Sequence, residues 1–306
     1  MKVTIDENSG YCWGVVRTIE IAEKTLSENK NGEVYILGQI IHNPKEVERL
    51  EKVGLKTIYH EQLQDLKDKN VKVLIRAHGE PPRTYEKAKE LGIELIDATC
   101  PLVTALQNRV HKFYTEGYQI VIFGKPQHPE VIGLRGVCND ECIVIQTETE
   151  ALEKVDFTKK TLFLSQTTMD KHLFHKIRQV LESKVKELQA YDNYREQLVV
   201  KDTLCRAVTG REENLQRFAR ENDVIIFVAG RNSSNGKSLF KICVETNPNS
   251  YFIEDINELQ PMWFVNAQSV GITGATSTPR WYMEQVKQAI EKIETANKQT
   301  TLNPSK

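Results

Sequence analysis

IELIDATCPLVTAL, residues 93–106, begins as a strand-like apolar stretch and continues as a helix-like one, with Cys100 at the seam and Pro101 directly after it. Proline suits the first helical position, where a backbone N–H has no partner in any case, so Cys100 sits beside the open donors of a helix start. A thiol in that setting ionises readily. A buried structural cysteine explains a single case equally well, so what matters is whether the pattern recurs.

It recurs twice. Short β-branched runs, VYIL (34–37), KVLI (72–75), IELI (93–96), IVIF (120–123), LFLS (162–165), VIIFV (224–228) and SVGIT (269–273), alternate with charged amphipathic stretches such as VVRTIEIAEKTLSE (15–28) and ENLQRFARE (213–221). The alternation predicts an α/β protein with mostly parallel sheet. In such sheets ligands gather beyond the carboxyl ends of the strands. Cys12 and Cys205 each precede a helix-like stretch as Cys100 does, Cys100 lying 88 residues after Cys12 and Cys205 lying 105 after Cys100. Between 28 and 30 residues beyond each cysteine a strand ends in a polar loop, carrying His42, His128, and the run Ser233, Ser234, Asn235. A second set of loops, 66 to 72 residues beyond, carries His78, Gln166 with Thr167, and Thr276 with Ser277.

A repeat of about 100 residues predicts three pseudo-equivalent small α/β lobes arranged as a trefoil, with their ligand loops facing a common centre. The expected lobes are 14–99, 100–202 and 203–306, the last completed by the N-terminal strand in 1–13. The repeat also answers the question raised by Cys100, because three thiols at matched positions are hard to explain as packing.

The bulk properties narrow the partner. With 41 basic and 42 acidic side chains among 306 residues, there is no overall field to draw nucleic acid or an anionic membrane, so an anionic ligand has to be held locally. Apolar stretches such as VIIFVA (224–229) fall far short of the roughly 20 residues of a membrane span. MKVTIDENSG lacks the basic and apolar regions of a signal peptide, and a cytoplasmic location is expected. The six cysteines (12, 100, 138, 142, 205 and 243) then read as metal ligands, reactive thiols or core fillers, not disulfides.

Three converging thiolates suit zinc or an iron–sulfur cluster, and ligands this far apart carry no local fingerprint that separates the two. A 4Fe-4S cluster held by only three cysteines leaves one iron open to act as a Lewis acid. His42, His78, His128, Thr167, Ser233, Asn235 and Ser277 are neutral or weakly basic hydrogen-bonding groups that suit a phosphate. Glu130, two residues after His128, is the one carboxylate within the strand-end motifs QHPE and SQTT, and so the natural proton donor, acting through Thr167.

Cys12, Cys100 and Cys205, with IHNP (41–44), RAHGEP (76–81), QHPEV (127–131), SQTT (165–168), RNSSN (231–235) and GATSTP (274–279), together resemble the 4-hydroxy-3-methylbut-2-enyl diphosphate reductase family over nearly the whole chain. The resemblance implies three α/β lobes around a central 4Fe-4S cluster on Cys12, Cys100 and Cys205, prone to decay to 3Fe-4S by oxidative loss of its open iron. It implies that His42, His78, His128, Ser233, Ser234, Asn235 and Ser277 bind the diphosphate, and that Glu130 with Thr167 and His128 serves the substrate hydroxyl and its proton. The implied reaction is reductive dehydroxylation of (E)-4-hydroxy-3-methylbut-2-enyl diphosphate to isopentenyl and dimethylallyl diphosphate, in a monomer fed by a ferredoxin or flavodoxin. The rivals are a non-redox iron–sulfur hydro-lyase and a non-catalytic cluster-binding redox sensor. Trp13, Gln127 and GATST depart from commoner family residues without touching the matched ligands.

Other signals carry less. AGRNSSNGKS (229–238) follows a strand like a P-loop, but five residues separate Gly230 from Gly236 where a P-loop has four. Cys138 and Cys142 lack a second metal-binding pair and read as surface or strand cysteines, and Cys243 as helix core. His172 and His175 read as a partly exposed helix face, and the polar ending 294–306 as a frayed tail.

Overall fold

The computed structural model describes residues 1–29, 32–188 and 194–302. Its strands are β1 (Lys2–Ile5), β2 (Glu33–Leu37), β3 (Leu55–Ile58), β4 (Val71–Ile75), β5 (Glu94–Asp97), β6 (Gln119–Phe123), β7 (Cys142–Ile145), β8 (Thr161–Ser165), β9 (Leu198–Val200), β10 (Val224–Val228), β11 (Ser250–Ile253) and β12 (Ser269–Gly274). Its α-helices are α1 (Trp13–Glu28), α2 (Pro44–Lys52), α3 (Pro82–Glu90), α4 (Pro101–Thr115), α5 (Pro129–Gly136), α6 (Glu148–Lys154), α7 (Lys171–Leu188), α8 (Tyr194–Gln197), α9 (Arg206–Thr209), α10 (Glu212–Arg220), α11 (Ser234–Thr246) and α12 (Arg280–Leu302).

The strands form three four-stranded sheets, ordered β3-β2-β4-β5, β7-β6-β8-β9 and β11-β10-β12-β1. Every pairing is parallel. The three orders are one topology. In each, the first and third strands are central, the second is one edge and the fourth is the other. In the third sheet β1 takes the fourth place, pairing Lys2 with Ser269 and Ile5 with Ile272.

The central strands are apolar along their whole length because helices cover both faces. Alternate side chains divide between two cores: Val121 and Phe123 of β6 join Phe163 and Phe174 on one face, while Ile120 and Ile122 join Leu162 and Val110 on the other. In β10, Ile226 and Val228 likewise pack with Met283 and Val286, and Ile225 and Phe227 with Leu239 and Leu215.

The chain divides into two compact units. One comprises Met1–Val16, Ile41–Lys52 and Arg206–Lys306, and holds the third sheet. Within it, α2 is anchored by polar contacts: Lys45 pairs with Asp255 at 2.5 Å, and buried Glu46 accepts from Trp281 Nε1 at 2.9 Å. The other unit comprises Arg17–Ile40 and Val53–Cys205, and holds the first two sheets. Inside it α5 approaches the start of α3 so closely that a Cβ on Gly136 would lie 2.1 Å from Pro81 Cβ.

Smaller features complete the picture. The stretch after Cys205 is not one helix, since α9 has four residues and stops at Gly210, where a Cβ would lie 2.7 Å from the Arg206 carbonyl oxygen. Cys142 opens β7, Cys138 and Cys243 are buried, and on α7 His172 is exposed and His175 half-buried. The helix α12 reaches Leu302, so most of the tail expected to fray is helical, and 303–306 lie outside the described residues. No helix among the described residues is long and apolar enough to cross a membrane.

Candidate active site

Each cysteine of the repeat follows the fourth strand of a sheet: Cys12 after β1, Cys100 after β5, Cys205 after β9. Each is tied in the same way. The N–H of Cys12 donates to the carbonyl of Thr276 at 3.1 Å, that of Cys100 to Ala77 at 3.0 Å, and that of Cys205 to Thr167 at 2.8 Å. The accepting residue stands in every case two beyond the end of the third strand, after β12, β4 and β8. The periodicity seen in the sequence is therefore a backbone equivalence, made three times within its own sheet. All six cysteines remain thiols, and these three are partly exposed. Cys100 is the N-cap of α4, with Pro101 at the first helical position and no side-chain cap bond from the sulfur.

The unit with the first two sheets holds Cys100, Cys205, His78, His128, Glu130 and Thr167. His128 caps α5, its Nδ1 accepting the Glu130 N–H at 3.2 Å. That bond makes neutral His128 the Nε2–H tautomer, a donor on its outer nitrogen. The His78 ring meets the His128 ring edge-on, with centroids 5.4 Å apart. Glu130 is 2 % exposed. Its Oε1 accepts the Thr167 N–H at 2.7 Å and its Oε2 the Thr167 hydroxyl at 2.6 Å. Burial pushes this carboxyl up to about 7, against the lowering effect of the two Thr167 bonds. A carboxylic acid that changes protonation near neutrality is suited to proton transfer.

The unit with the third sheet holds Cys12, His42, Ser233, Ser234, Asn235 and Ser277. Ser233 caps α11, its Oγ accepting from the Gly236 N–H at 3.0 Å, and Ser234 opens the helix. Asn235, 4 % exposed, has its amide orientation set by Thr276, whose N–H and hydroxyl both donate to Oδ1 at 2.9 Å. Its Nδ2 is buried with no hydrogen-bond partner among the described residues. Such a donor at the start of a 13-residue helix fits an anionic oxygen. The Ser277 hydroxyl reaches the His42 carbonyl at 3.4 Å. Gly230 admits that carbonyl, since a Cβ there would lie 2.3 Å from it. Trp13, beside Cys12, is 63 % exposed.

Sequence reasoning placed Thr276 in a ligand loop without giving it a task. Its hydrogen-bonding role has no one-dimensional signal, because Asn235 is 41 residues away. Glu46, four residues after His42, was likewise not singled out.

Three parallel sheets of one topology, each closing on a partly exposed thiol, define an α/β protein with a repeated thiol-bearing loop. Residues 3–291 match the model of the LytB protein family, and the chain belongs to that family. It is 48 % identical over 307 residues to the 4-hydroxy-3-methylbut-2-enyl diphosphate reductase of Chloroherpeton thalassium, covering 95 % of this chain and 96 % of that one. With the Bacteroides fragilis reductase of the same name it shares 45 % over 295 residues, covering 95 % and 98 %. Among solved structures it is similar to an (E)-4-hydroxy-3-methyl-but-2-enyl diphosphate reductase described as the terminal enzyme of the non-mevalonate pathway, at 37 % identity and TM-score 0.69, covering 95 % of this chain and all of that one. The Plasmodium falciparum reductase gives 27 % identity and TM-score 0.81, over 95 % of this chain and 87 % of the other.

Proposed function

We propose that this chain reduces (E)-4-hydroxy-3-methylbut-2-enyl diphosphate to isopentenyl and dimethylallyl diphosphate: the terminal C–O bond breaks, a C–H bond forms at one or the other end of the resulting allyl unit, two electrons and two protons are consumed, and water is released. The observation that carries the chemistry is the buried Glu130 carboxyl, held by two hydrogen bonds to Thr167, whose carbonyl in turn fastens Cys205.

Cys12, Cys100 and Cys205 fit a 4Fe-4S cluster with one open iron, because soft thiolates are its ordinary donors and all three loops are built alike. When bound, the cluster supplies electrons and Lewis acidity. The chain's own residues do the rest. His42, His78, His128, Ser233, Ser234, Asn235 and Ser277 hold the diphosphate, with Asn235 Nδ2 and the outer nitrogen of His128 as donors. Glu130, protonated, donates to Thr167 Oγ1, and the threonine hydroxyl then turns its own proton outward to the departing hydroxyl. The first transfer uses the Thr167 Oγ1–Glu130 Oε2 contact, whose donor and acceptor exchange when the acid carries the proton, and the second is made to the bound substrate.

The same proposal assigns three lobes at 14–99, 100–202 and 203–306 with the strand in 1–13, except that 41–52, which carry α2, go with the third sheet. It assigns a ferredoxin or flavodoxin as electron donor, a monomeric state and a cytoplasmic location. The test is Glu130→Gln in anaerobically prepared protein. Dehydroxylation falls by about 10² or more while iron content is unchanged. Full activity in this variant refutes the proton-donor role, and turnover without any reductant refutes the reductase reading in favour of a hydro-lyase.

A further inference from the structure

Three aspartates outside the catalytic set stand where the fourth strands end, Asp97 and Asp202 three residues before their cysteines and Asp6 six before Cys12. Asp6 follows β1, Asp97 closes β5 and Asp202 stands two residues beyond β9. Each accepts the backbone N–H two residues on: Asp6 Oδ1 from Asn8 at 2.9 Å, Asp97 Oδ1 from Thr99 at 2.8 Å, Asp202 Oδ1 from Leu204 at 3.1 Å. These are Asx turns, in which a short carboxylate imitates a backbone acceptor and bends the chain. Since β1, β5 and β9 are the fourth strands of their sheets, the same device begins each of the three loops that end on Cys12, Cys100 and Cys205.

The far end of each loop is held by the cysteine N–H bond to the third-strand loop already described. Further bonds brace the segments between. Asp6, 5 % exposed, accepts the Thr273 hydroxyl on Oδ2 at 2.9 Å, and Asp97 accepts Tyr85 OH on Oδ2 at 3.0 Å. Thr203, next to Asp202, donates its hydroxyl to the Ser165 carbonyl at 2.6 Å and accepts the Ser165 N–H at 2.9 Å. Each loop is thus fixed at both ends by bonds within its own sheet.

We propose that Asp6, Asp97 and Asp202 are positioning residues that pre-form the three cysteine loops in the chain itself, before any cluster is bound. The proposal rests on the reading of the three thiols as cluster ligands. Its physical content is that loops ordered in advance do not lose affinity to ordering when the metal group arrives. What the turn needs is an acceptor oxygen at Oδ1, and a negative charge is not required.

Asp202 is the position to test, because it is exposed and its side chain does nothing among the described residues but close the turn to Leu204, so its replacement leaves the core untouched. Full-length Asp202→Ala and Asp202→Asn are compared with wild type, first without metal by amide hydrogen exchange and then by iron retention against a chelator after anaerobic reconstitution. In Asp202→Ala the Cys205 amide exchanges about tenfold faster while the β8 amides stay protected. Iron is lost about tenfold more readily, as for other groups that orient metal ligands. Asp202→Asn, which keeps the acceptor oxygen, restores both. Wild-type exchange at Cys205 in the alanine variant overturns the proposal, and so does an asparagine variant as impaired as alanine, since charge would then be the cause. If wild type itself takes up no iron, the cluster reading fails, and the exchange experiment on the metal-free chain still decides whether Asp202 orders the Cys205 loop.

Discussion

The backbone N–H of Cys205 donates to the Thr167 carbonyl at 2.8 Å, while the N–H and hydroxyl of the same threonine donate to Glu130 at 2.7 and 2.6 Å. One residue therefore joins a candidate metal-ligand loop to a buried acid. The join is made of backbone as well as side chain, so part of it survives any substitution at Thr167.

Thr167→Val keeps the shape and both backbone bonds but removes the hydroxyl. The rate of dehydroxylation falls by about 10² to 10⁴ with KM little changed, because the lost group acts on the proton and the substrate contacts remain. Since that hydroxyl also lowers the Glu130 pKa, the descending limb of the pH–rate profile moves upward from about 7. A profile that stays in place with an undiminished rate removes Thr167 from the proton path.

Glu130 also makes stability depend on pH. Its folded pKa is about 7 against an ordinary 4.5, so between these values the folded chain keeps a proton that the unfolded chain has released. The contribution of this group is complete below about pH 4.5, declines as the pH rises towards 7, and is flat above that. Over that window wild type loses about 3 kcal/mol relative to Glu130→Gln, which carries no titrating group there. Urea denaturation of both proteins at pH 5 and pH 8 measures the difference, and a gap that does not change with pH refutes the buried-acid account.

Asn235→Ala removes the buried Nδ2 donor. Inorganic diphosphate binds about tenfold more weakly to the variant by calorimetry, the scale of one hydrogen bond to a charged group. Asn235→Asp keeps an acceptor for Thr276 but turns a carboxylate oxygen towards the anion, and binds more weakly still. Equal affinities in all three proteins place the diphosphate elsewhere.

Gly230→Ala drives a methyl group to 2.3 Å from the His42 carbonyl oxygen. Neither backbone yields cheaply, so the variant loses about 1–3 kcal/mol in chemical denaturation. The His42 loop is the part displaced. A neutral substitution shows that the two loops are not held against each other in solution.

Trp281→Phe keeps a ring on α12 but removes the Nε1–H that buried Glu46 accepts at 2.9 Å. Arg49 still pairs with Glu46, at 2.5 Å, so the carboxylate is not left alone and the loss is about 1–2 kcal/mol in urea denaturation. An unchanged midpoint shows that α2 is held by its other contacts.

The amino-acid sequence determined by itself the six central strands, the helices between them and the threefold spacing of Cys12, Cys100 and Cys205. Local chemistry suffices there: a strand covered on both faces has to be apolar throughout, as LFLS and VIIFV are, and a ligand loop has to follow it. The edge strands β3, β7, β9 and β11 escaped because three or four half-exposed residues carry too little periodicity to stand out. Only the tertiary structure decided that α2 belongs with the third sheet, that Thr276 turns the Asn235 amide, and that Glu130 holds a proton near neutrality. Each of these depends on which distant atoms surround a group, since burial and hydrogen-bond partners set protonation and orientation, and neither is written in the residue's own neighbours along the chain.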